Sequence, residues 1–220
     1  MRKKTETGDG SPLYETIAIG VSAGGVEALN LILPSLPADL PLALLIVQHR
    51  PGESHNYLRG SLNKKNAITV KEADEKELIA PGTAYMAPAN YHMLVESLRT
   101  ISLSTSAPVN YSRPSIDVLF ETAAEAYGPG LAGMVLTGAN SDGSQGLKTN
   151  SARGGLAVMQ EPECAAGSAM PFAALRAVEA DHLLPLEQIS SFISGLASIG
   201  RVSRKLHVRD IVKGRDYGKI

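Results

Sequence analysis

The sequence predicts one α/β domain, a doubly wound parallel sheet with helices on both faces and a small β-hairpin. The first observation behind this prediction is that short apolar runs alternate with segments of helical periodicity over about 180 residues. The second is size, because 220 residues suit one compact domain of this class. The composition, 44% hydrophobic and 20% charged, is that of an ordinary globular protein.

The chain opens with a strand, a glycine loop, a helix and a second strand. The apolar run 16–19 ends in glycines, as a buried parallel strand does. Residues 26–33 have helical spacing, and Pro34 and Pro37 end the predicted helix. A second continuous apolar run follows at 42–47. This order is typical of a right-handed crossover in a parallel sheet.

The same alternation continues to the end of the domain. Residues 115–127 have the clearest amphipathic helical pattern, with Ser115 as the predicted N-cap. Residues 92–95 and 100–103 are predicted to pair as the hairpin. The other predicted strands are 68–70, 83–87, 131–136, 156–159 and 183–184, and the other predicted helices are 57–62, 145–153, 169–180 and 187–197.

The domain organisation follows from the composition at the two ends. We expect a flexible arm over 1–14, the domain over 15–200 and a basic tail over 201–220. The tail carries seven basic residues against two acidic ones, a local excess of five positive charges. A solvated tail is the preferred interpretation, and a docking arm for an acidic partner or a membrane surface is the alternative.

Several classes of protein are excluded by composition. A net charge of −1, 5% aromatic residues and no Trp disfavour a nucleic-acid partner. The longest apolar run, 40–47, is too short for membrane insertion, and the N-terminus does not resemble a signal peptide, so a cytoplasmic protein is expected. The single cysteine, Cys164, excludes an intrachain disulfide, and no histidine pair has metal-ligand spacing.

The glycine loop after the first strand suggests either phosphate binding or nucleophilic catalysis. Gly20, Ser22 and Gly24 match the G-x-S-x-G elbow, in which a tight turn holds a serine above the sheet edge. A dinucleotide site would require an acidic residue at the end of the second strand to bind the ribose. Here that strand ends at His49, which disfavours a nucleotide-dependent oxidoreductase.

Three side chains of nucleophile, base and orienting type follow predicted strands. Ser22 ends the first, His49 ends the second, and Asp142 lies in the loop after 131–136. Because the carboxyl ends of parallel strands meet at one crevice, a Ser-His-Asp triad is predicted. The structural alternatives are a helix N-cap for Ser22 and a turn former for Asp142. Asp117 is expected to serve the helix dipole rather than to take part in the chemistry.

Six segments resemble a known family. They are IGVSAGG, VQHRPG, APGTAYMAPANYHM, RPSIDVLFETAAEAYG, VLTGANSDGSQG and MPFAAL. In this order they resemble the catalytic domain of the CheB family, the protein-glutamate methylesterases of bacterial chemotaxis. The resemblance covers residues 16–196 and implies the same α/β fold with a hairpin.

The resemblance also implies a function. It assigns the triad to Ser22, His49 and Asp142 and requires no metal or cofactor. The implied substrates are glutamyl methyl esters, and in many members also glutamines, on the cytoplasmic domain of a chemoreceptor or a related sensory protein. Backbone groups near Ala23 and Ala139 are the expected oxyanion donors.

Two further residues are expected to bind substrate. Arg50 follows the predicted base, where many members carry an apolar residue. Its guanidinium can steer an acidic receptor surface or depress the basicity of the imidazole. His92 is expected to face the crevice.

Some positions depart from the family pattern. Many members have Thr where this chain has Ala23, and TGMGxDG where it has TGANSDG, so that Ala139 replaces a methionine. Two-domain members also carry an N-terminal receiver domain, whereas about fifteen residues precede the first strand here. We therefore expect constitutive activity, regulation by a separate response-regulator partner, or an excised domain. A non-catalytic sensory scaffold of the same fold is the alternative function.

Overall fold

The computed structural model describes residues 13–49 and 66–198. Within these residues the chain forms a seven-stranded parallel sheet, a two-stranded antiparallel hairpin and five α-helices. The strands are β1 Thr16–Val21, β2 Ala43–Gln48, β3 Thr69–Glu72, β4 Thr83–Met86, β5 His92–Val95, β6 Ile101–Ser104, β7 Leu131–Val135, β8 Leu156–Gln160 and β9 His182–Leu184. The helices are α1 Gly25–Ile32, α2 Ile116–Tyr127, α3 Ser144–Ala152, α4 Ala169–Ala177 and α5 Leu186–Ser198.

Strand β1 lies at the point where the chain reverses its direction across the sheet. The spatial order is β3-β4-β2-β1-β7-β8-β9, so the chain builds outward on one side of β1 and then returns to β7 on the other. Val21 pairs with Gln48 of β2, and Gly20 pairs with Val135 of β7. The carboxyl ends of β1, β2 and β7 therefore meet at one edge, where ligand sites of doubly wound sheets lie.

Both faces of the sheet are covered by helices. Helices α1 and α5 pack on one face through side chains that include Leu29 and Ile193. Helices α2, α3 and α4 and the hairpin pack on the other, through side chains that include Phe120, Leu147 and Met93. The predicted doubly wound fold with a small hairpin is confirmed.

Helix α2 forms where its pattern predicted it. Ser115 precedes it in an extended conformation, and its hydroxyl accepts a hydrogen bond from the Val118 N–H at 3.4 Å. The predicted apolar face is buried, and it includes Ile116, Leu119 and Phe120. The start of α2 is thus fixed by a cap on one side and by core packing on the other.

Some predicted features fall outside the described residues or differ from them. The predicted helix 57–62, Arg50, the basic tail 201–220 and residues 1–12 of the arm are not among the described residues. Tyr14, assigned to the arm, is buried in the core. Helix α4 ends at Ala177 rather than at residue 180, because the backbone is extended at Val178. No helix in 13–49 or 66–198 has both the length and the apolar character to span a membrane.

Candidate active site

Ser22 occupies a sharp turn between a strand and a helix. It directly follows β1, and α1 begins three residues later at Gly25. Its N–H donates to the Thr137 carbonyl at 2.9 Å, which ties the turn to the segment after β7. Gly24 has a φ of 77°, a left-handed conformation that favours glycine. The predicted G-x-S-x-G elbow is present, and Ser22 is half-buried at its apex.

Close packing around the elbow requires two further glycines. A Cβ on Gly20 would lie 2.4 Å from Cγ2 of Ile116, and one on Gly138 would lie 1.9 Å from Sδ of Met170. The same Gly138 Cβ would lie 3.0 Å from Cβ of Ser22. The loop after β7 therefore rests directly against the serine.

His49 follows β2 and lies beside the elbow. Its backbone N–H donates to the Val21 carbonyl at 3.0 Å. This bond extends the β1–β2 pairing by one residue and places His49 next to Ser22. Its side chain is 11% exposed, and Nε2 lies 2.8 Å from Oδ2 of Asp142. The structure thus joins the predicted base to the predicted carboxylate.

Asp142 is held by the first turn of α2. Its Oδ2 accepts from the Ile116 N–H at 2.7 Å, and its Oδ1 accepts from the Asp117 N–H at 3.1 Å and from the Ser115 hydroxyl at 2.9 Å. The Asn110 amide donates to Oδ1 at 3.2 Å. A helix N-terminus carries partial positive charge, so this position favours an anion.

The ionisation of Asp142 determines which ring nitrogen of His49 carries the hydrogen. Burial alone would raise the pKa of Asp142, but the bonds from His49, Ile116, Asp117 and Asn110 outweigh it and hold the pKa below its usual value. An ionised carboxylate can only accept, so Nε2 of His49 is the donor. In a neutral ring Nδ1 then carries the lone pair.

Asn140 is the neighbour of that lone pair. Its Nδ2 lies 3.3 Å from Nδ1 of His49. Among the described residues, no direct hydrogen bond joins the Ser22 hydroxyl to the His49 ring. The structure therefore brings the predicted base and carboxylate into contact and places the serine next to them, with Nδ1 of His49 bonded to Asn140.

A second buried carboxyl group lies behind Asp142. Asp117 is 5% exposed, accepts from the Gly146 N–H at 2.7 Å and accepts from Asn110 Nδ2 at 2.8 Å. Burial raises its pKa to about 6, against the bond from Gly146 and with a further contribution from the charge of Asp142. Asn110 bridges the two carboxyl groups, a contact that the expected helix-dipole role of Asp117 did not include.

The proposed oxyanion donors are Ala23, which follows Ser22, and Ala139, which follows Gly138, the glycine that approaches the serine. Both residues are exposed at the sheet edge. Within the described part of the chain, neither backbone N–H has a hydrogen-bond acceptor. Two free donors beside a candidate nucleophile fit the requirement of an oxyanion hole.

His92 has a different position from that expected of a substrate-binding residue. It is 1% exposed, its Nδ1 accepts from the Ser115 N–H at 3.1 Å, and its Nε2 donates to the Ala107 carbonyl at 3.1 Å. With both nitrogens engaged and the ring buried, His92 supports the start of α2 and does not face the crevice. A polar residue at the start of a predicted strand, as His92 is, does not indicate from the sequence that its side chain is buried.

Sequence reasoning missed the contacts that four polar residues make around the predicted triad: Asn110, Ser115, Asp117 and Asn140. Ser115 and Asp117 had a usable signal, because the first turn of a predicted helix can bind an anion. The partners of Asn110 and Asn140 depend on how their loops fold and had none. Among the described residues, no three His, Cys, Asp or Glu side chains lie where they could bind a metal ion.

The known proteins that this chain matches belong to one family. The CheB methylesterase family model matches residues 17–193. A Leptospira interrogans protein named protein-glutamate methylesterase/protein-glutamine glutaminase is 51% identical over 177 residues, 80% of this chain and 92% of its own. A Moorella thermoacetica protein of the same name is 38% identical, over 85% of this chain and 45% of its own.

A solved structure has the same fold. The crystal structure of the Thermotoga maritima CheB methylesterase catalytic domain superposes with a TM-score of 0.79 at 30% sequence identity. The match covers 83% of this chain and 98% of that domain.

Proposed function

Because the chain belongs to the CheB methylesterase family, we propose that it hydrolyses glutamyl methyl esters on chemoreceptor cytoplasmic domains through Ser22, His49 and Asp142. The observation that supports this most strongly is the 2.8 Å contact between His49 Nε2 and Asp142 Oδ2 beside the serine elbow. This contact leaves Nδ1 as the basic nitrogen of the ring. A cytoplasmic location follows from the proposed substrate.

Acylation begins at the serine hydroxyl. Oγ of Ser22 attacks the ester carbonyl carbon while Nδ1 of His49 takes the hydroxyl proton. The C–O bond to the methoxy group then breaks, and the imidazolium returns its proton to the leaving oxygen, which departs as methanol. Asp142 stabilises the imidazolium and remains ionised throughout.

Deacylation repeats these steps with water. Nδ1 of His49 takes a proton from water, whose oxygen attacks the acyl carbon. The bond to Oγ breaks, and the serine regains a proton from the ring. The products are a glutamic acid side chain, which ionises by releasing a proton to solvent, and the starting enzyme. The same sequence on a glutamine side chain releases ammonia in place of methanol, which would be the deamidase activity.

The tetrahedral intermediates carry a negative oxygen. The N–H groups of Ala23 and Ala139 are the proposed donors to it, since both are exposed and free within the described residues. Neither needs its side chain for this purpose, so the alanines at these positions are compatible with catalysis.

The test is methanol release from a methylated chemoreceptor cytoplasmic domain. Loss of the nucleophile should lower kcat by several orders of magnitude, up to roughly 10⁶-fold, so Ser22→Ala should be almost inactive. Ser191→Ala is the matched control, because Ser191 is an exposed residue of α5 whose hydroxyl donates to the Gln188 carbonyl of the same helix. Wild-type turnover by Ser22→Ala would show that the nucleophile is misassigned, and no turnover by the wild type would favour the scaffold function.

A further inference from the structure

We propose that Asn140 is a positioning residue that restrains the base: its amide occupies the basic nitrogen of His49 and must release it before the ring can take the Ser22 proton. The proposal rests on the proposed function for the identity of nucleophile and base. In the resting arrangement Nδ1 is bonded to Asn140, and in the catalytic arrangement Nδ1 is free to take the Ser22 proton. The evidence lies in the hydrogen-bond directions around Asn140.

The orientation of the Asn140 amide follows from its other contact. Oδ1 of Asn140 accepts from the Asp142 N–H at 3.2 Å. A backbone N–H can only donate, so the oxygen of the amide must face it and Nδ2 must face His49. The assignment of oxygen and nitrogen is therefore determined by the chemistry of the neighbour.

The donor at Nδ2 sets the state of the ring. At 3.3 Å, Nδ2 can donate to Nδ1 only if Nδ1 has no hydrogen. Asp142 independently requires the hydrogen on Nε2. Both neighbours therefore select one neutral tautomer, and the lone pair of Nδ1 is engaged by Asn140.

This engagement competes with catalysis. The ring has one lone pair, and the mechanism requires it for the Ser22 hydroxyl. Once Nδ1 takes the proton, the N–H groups of Asn140 and the imidazolium would face each other as two donors. The Asn140 bond must therefore break in each acylation, and a neutral bond of 3.3 Å corresponds to a restraint of severalfold in rate.

Two substitutions of Asn140 are expected to act in opposite directions. Asn140→Ala removes the competing donor and should raise the rate constant for inactivation of Ser22 by a fluorophosphonate two- to tenfold. Asn140→Asp keeps an acceptor for the Asp142 N–H but presents a carboxylate to Nδ1, which favours a proton there. This variant should react at least fivefold more slowly than the wild type. Asn30→Ala and Asn30→Asp, at an exposed position of α1, are the matched controls.

The ring itself provides a second readout that does not depend on activity. In ¹⁵N spectra at pH 8, His49 of the wild type should carry its hydrogen on Nε2 and none on Nδ1. In Asn140→Asp, the spectra should show a proton on Nδ1, because the new carboxylate can accept a hydrogen bond from it.

The outcomes separate this proposal from the proposed function. A wild-type ring protonated on Nδ1, an unchanged inactivation rate in Asn140→Ala, or a loss of rate in both variants would overturn the restraint. A wild type that never labels at Ser22 would overturn the hydrolase assignment. The nitrogen spectra would then still decide whether Asn140 holds the ring.

Discussion

Asp142 accepts a hydrogen bond from the Ile116 N–H at 2.7 Å, so the carboxylate that we propose orients the base is itself fixed by the first turn of α2. The bond joins the loop after β7 to a helix 26 residues away in sequence. It places an anion at the positive end of a helix. The orientation of His49 therefore depends on the packing of α2 as well as on the sheet edge.

The first prediction concerns the charge of Asp142. In Asp142→Asn only one oxygen remains to accept from His49, Ile116, Asp117, Ser115 and Asn110, so unpaired donors should cost about 1–3 kcal/mol of stability. The amide would also select the wrong histidine tautomer. We expect kcat for methanol release to fall about 10⁴-fold, the size of effect that this change has in a serine protease triad.

Thermal unfolding separates these two effects. Asp39→Asn, at an exposed position, is the control and should match the wild type in both measurements. If Asp142→Asn remains folded and keeps more than a tenth of the wild-type kcat, Asp142 does not orient the base.

The second prediction concerns the pH dependence of stability through Asp117. Its pKa is about 6 in the folded state, because of burial, and about 3.9 is usual in an unfolded chain. At pH values between these two pKa values, Asp117 keeps its proton in the folded state and has lost it in the unfolded state. The contribution of Asp117 to stability therefore falls as pH rises from about 4 to about 6. The gap corresponds to roughly 3 kcal/mol.

Urea unfolding of the wild type and Asp117→Asn at several pH values measures this contribution. The free energy of unfolding of the variant, minus that of the wild type, should increase from pH 4 to pH 6.5 and then level off. The charged neighbours that act on Asp117 are Asp142 and Glu121. Because the pKa of Asp142 is lowered in the folded state, the stability that Asp142 contributes is lost at pH values below this range. A difference that does not change with pH would show that Asp117 titrates normally.

The third prediction concerns the close approach at Gly138. In Gly138→Ala the new methyl group would meet Sδ of Met170 and Cβ of Ser22. Overpacking of this kind costs about 1–3 kcal/mol, and displacement of Ser22 should also lower kcat. Thermal unfolding and methanol release measure the two consequences.

A second substitution distinguishes them. Met170→Ala removes the side chain that Gly138→Ala would strike, so the double variant should recover stability relative to the sum of the two single variants. It should not recover turnover, because the contact with Ser22 remains. Full recovery of both would mean that Gly138 serves core packing alone.

Most of the fold was predictable because its strands are continuously apolar and end at glycines or polar residues. The central strands β1, β2 and β7 are buried on both faces, and this burial produces runs without alternation. The start of α2 was predictable from Ser115 and the apolar spacing that follows it. The end of α4 was not predictable from the pattern, because the backbone becomes extended at Val178 although the helical spacing continues beyond it.

The candidate site was predictable only where it depends on topology. Ser22, His49 and Asp142 follow strands, and strand ends converge in a parallel sheet. His92, Asn110 and Asn140 make their contacts through loops whose path is set by tertiary structure. Whether a histidine is buried and bonded, as His92 is, or free to bind substrate has no signature in the type of its sequence neighbours.

The central claim is that His49 activates Ser22, and mass spectrometry after treatment with a fluorophosphonate tests it most directly. We expect the wild type to carry one adduct, on the peptide that contains Ser22, and His49→Gln to label at least a hundredfold more slowly while remaining folded. An adduct on another residue, or equal labelling of Ser22 without the imidazole, would contradict the account.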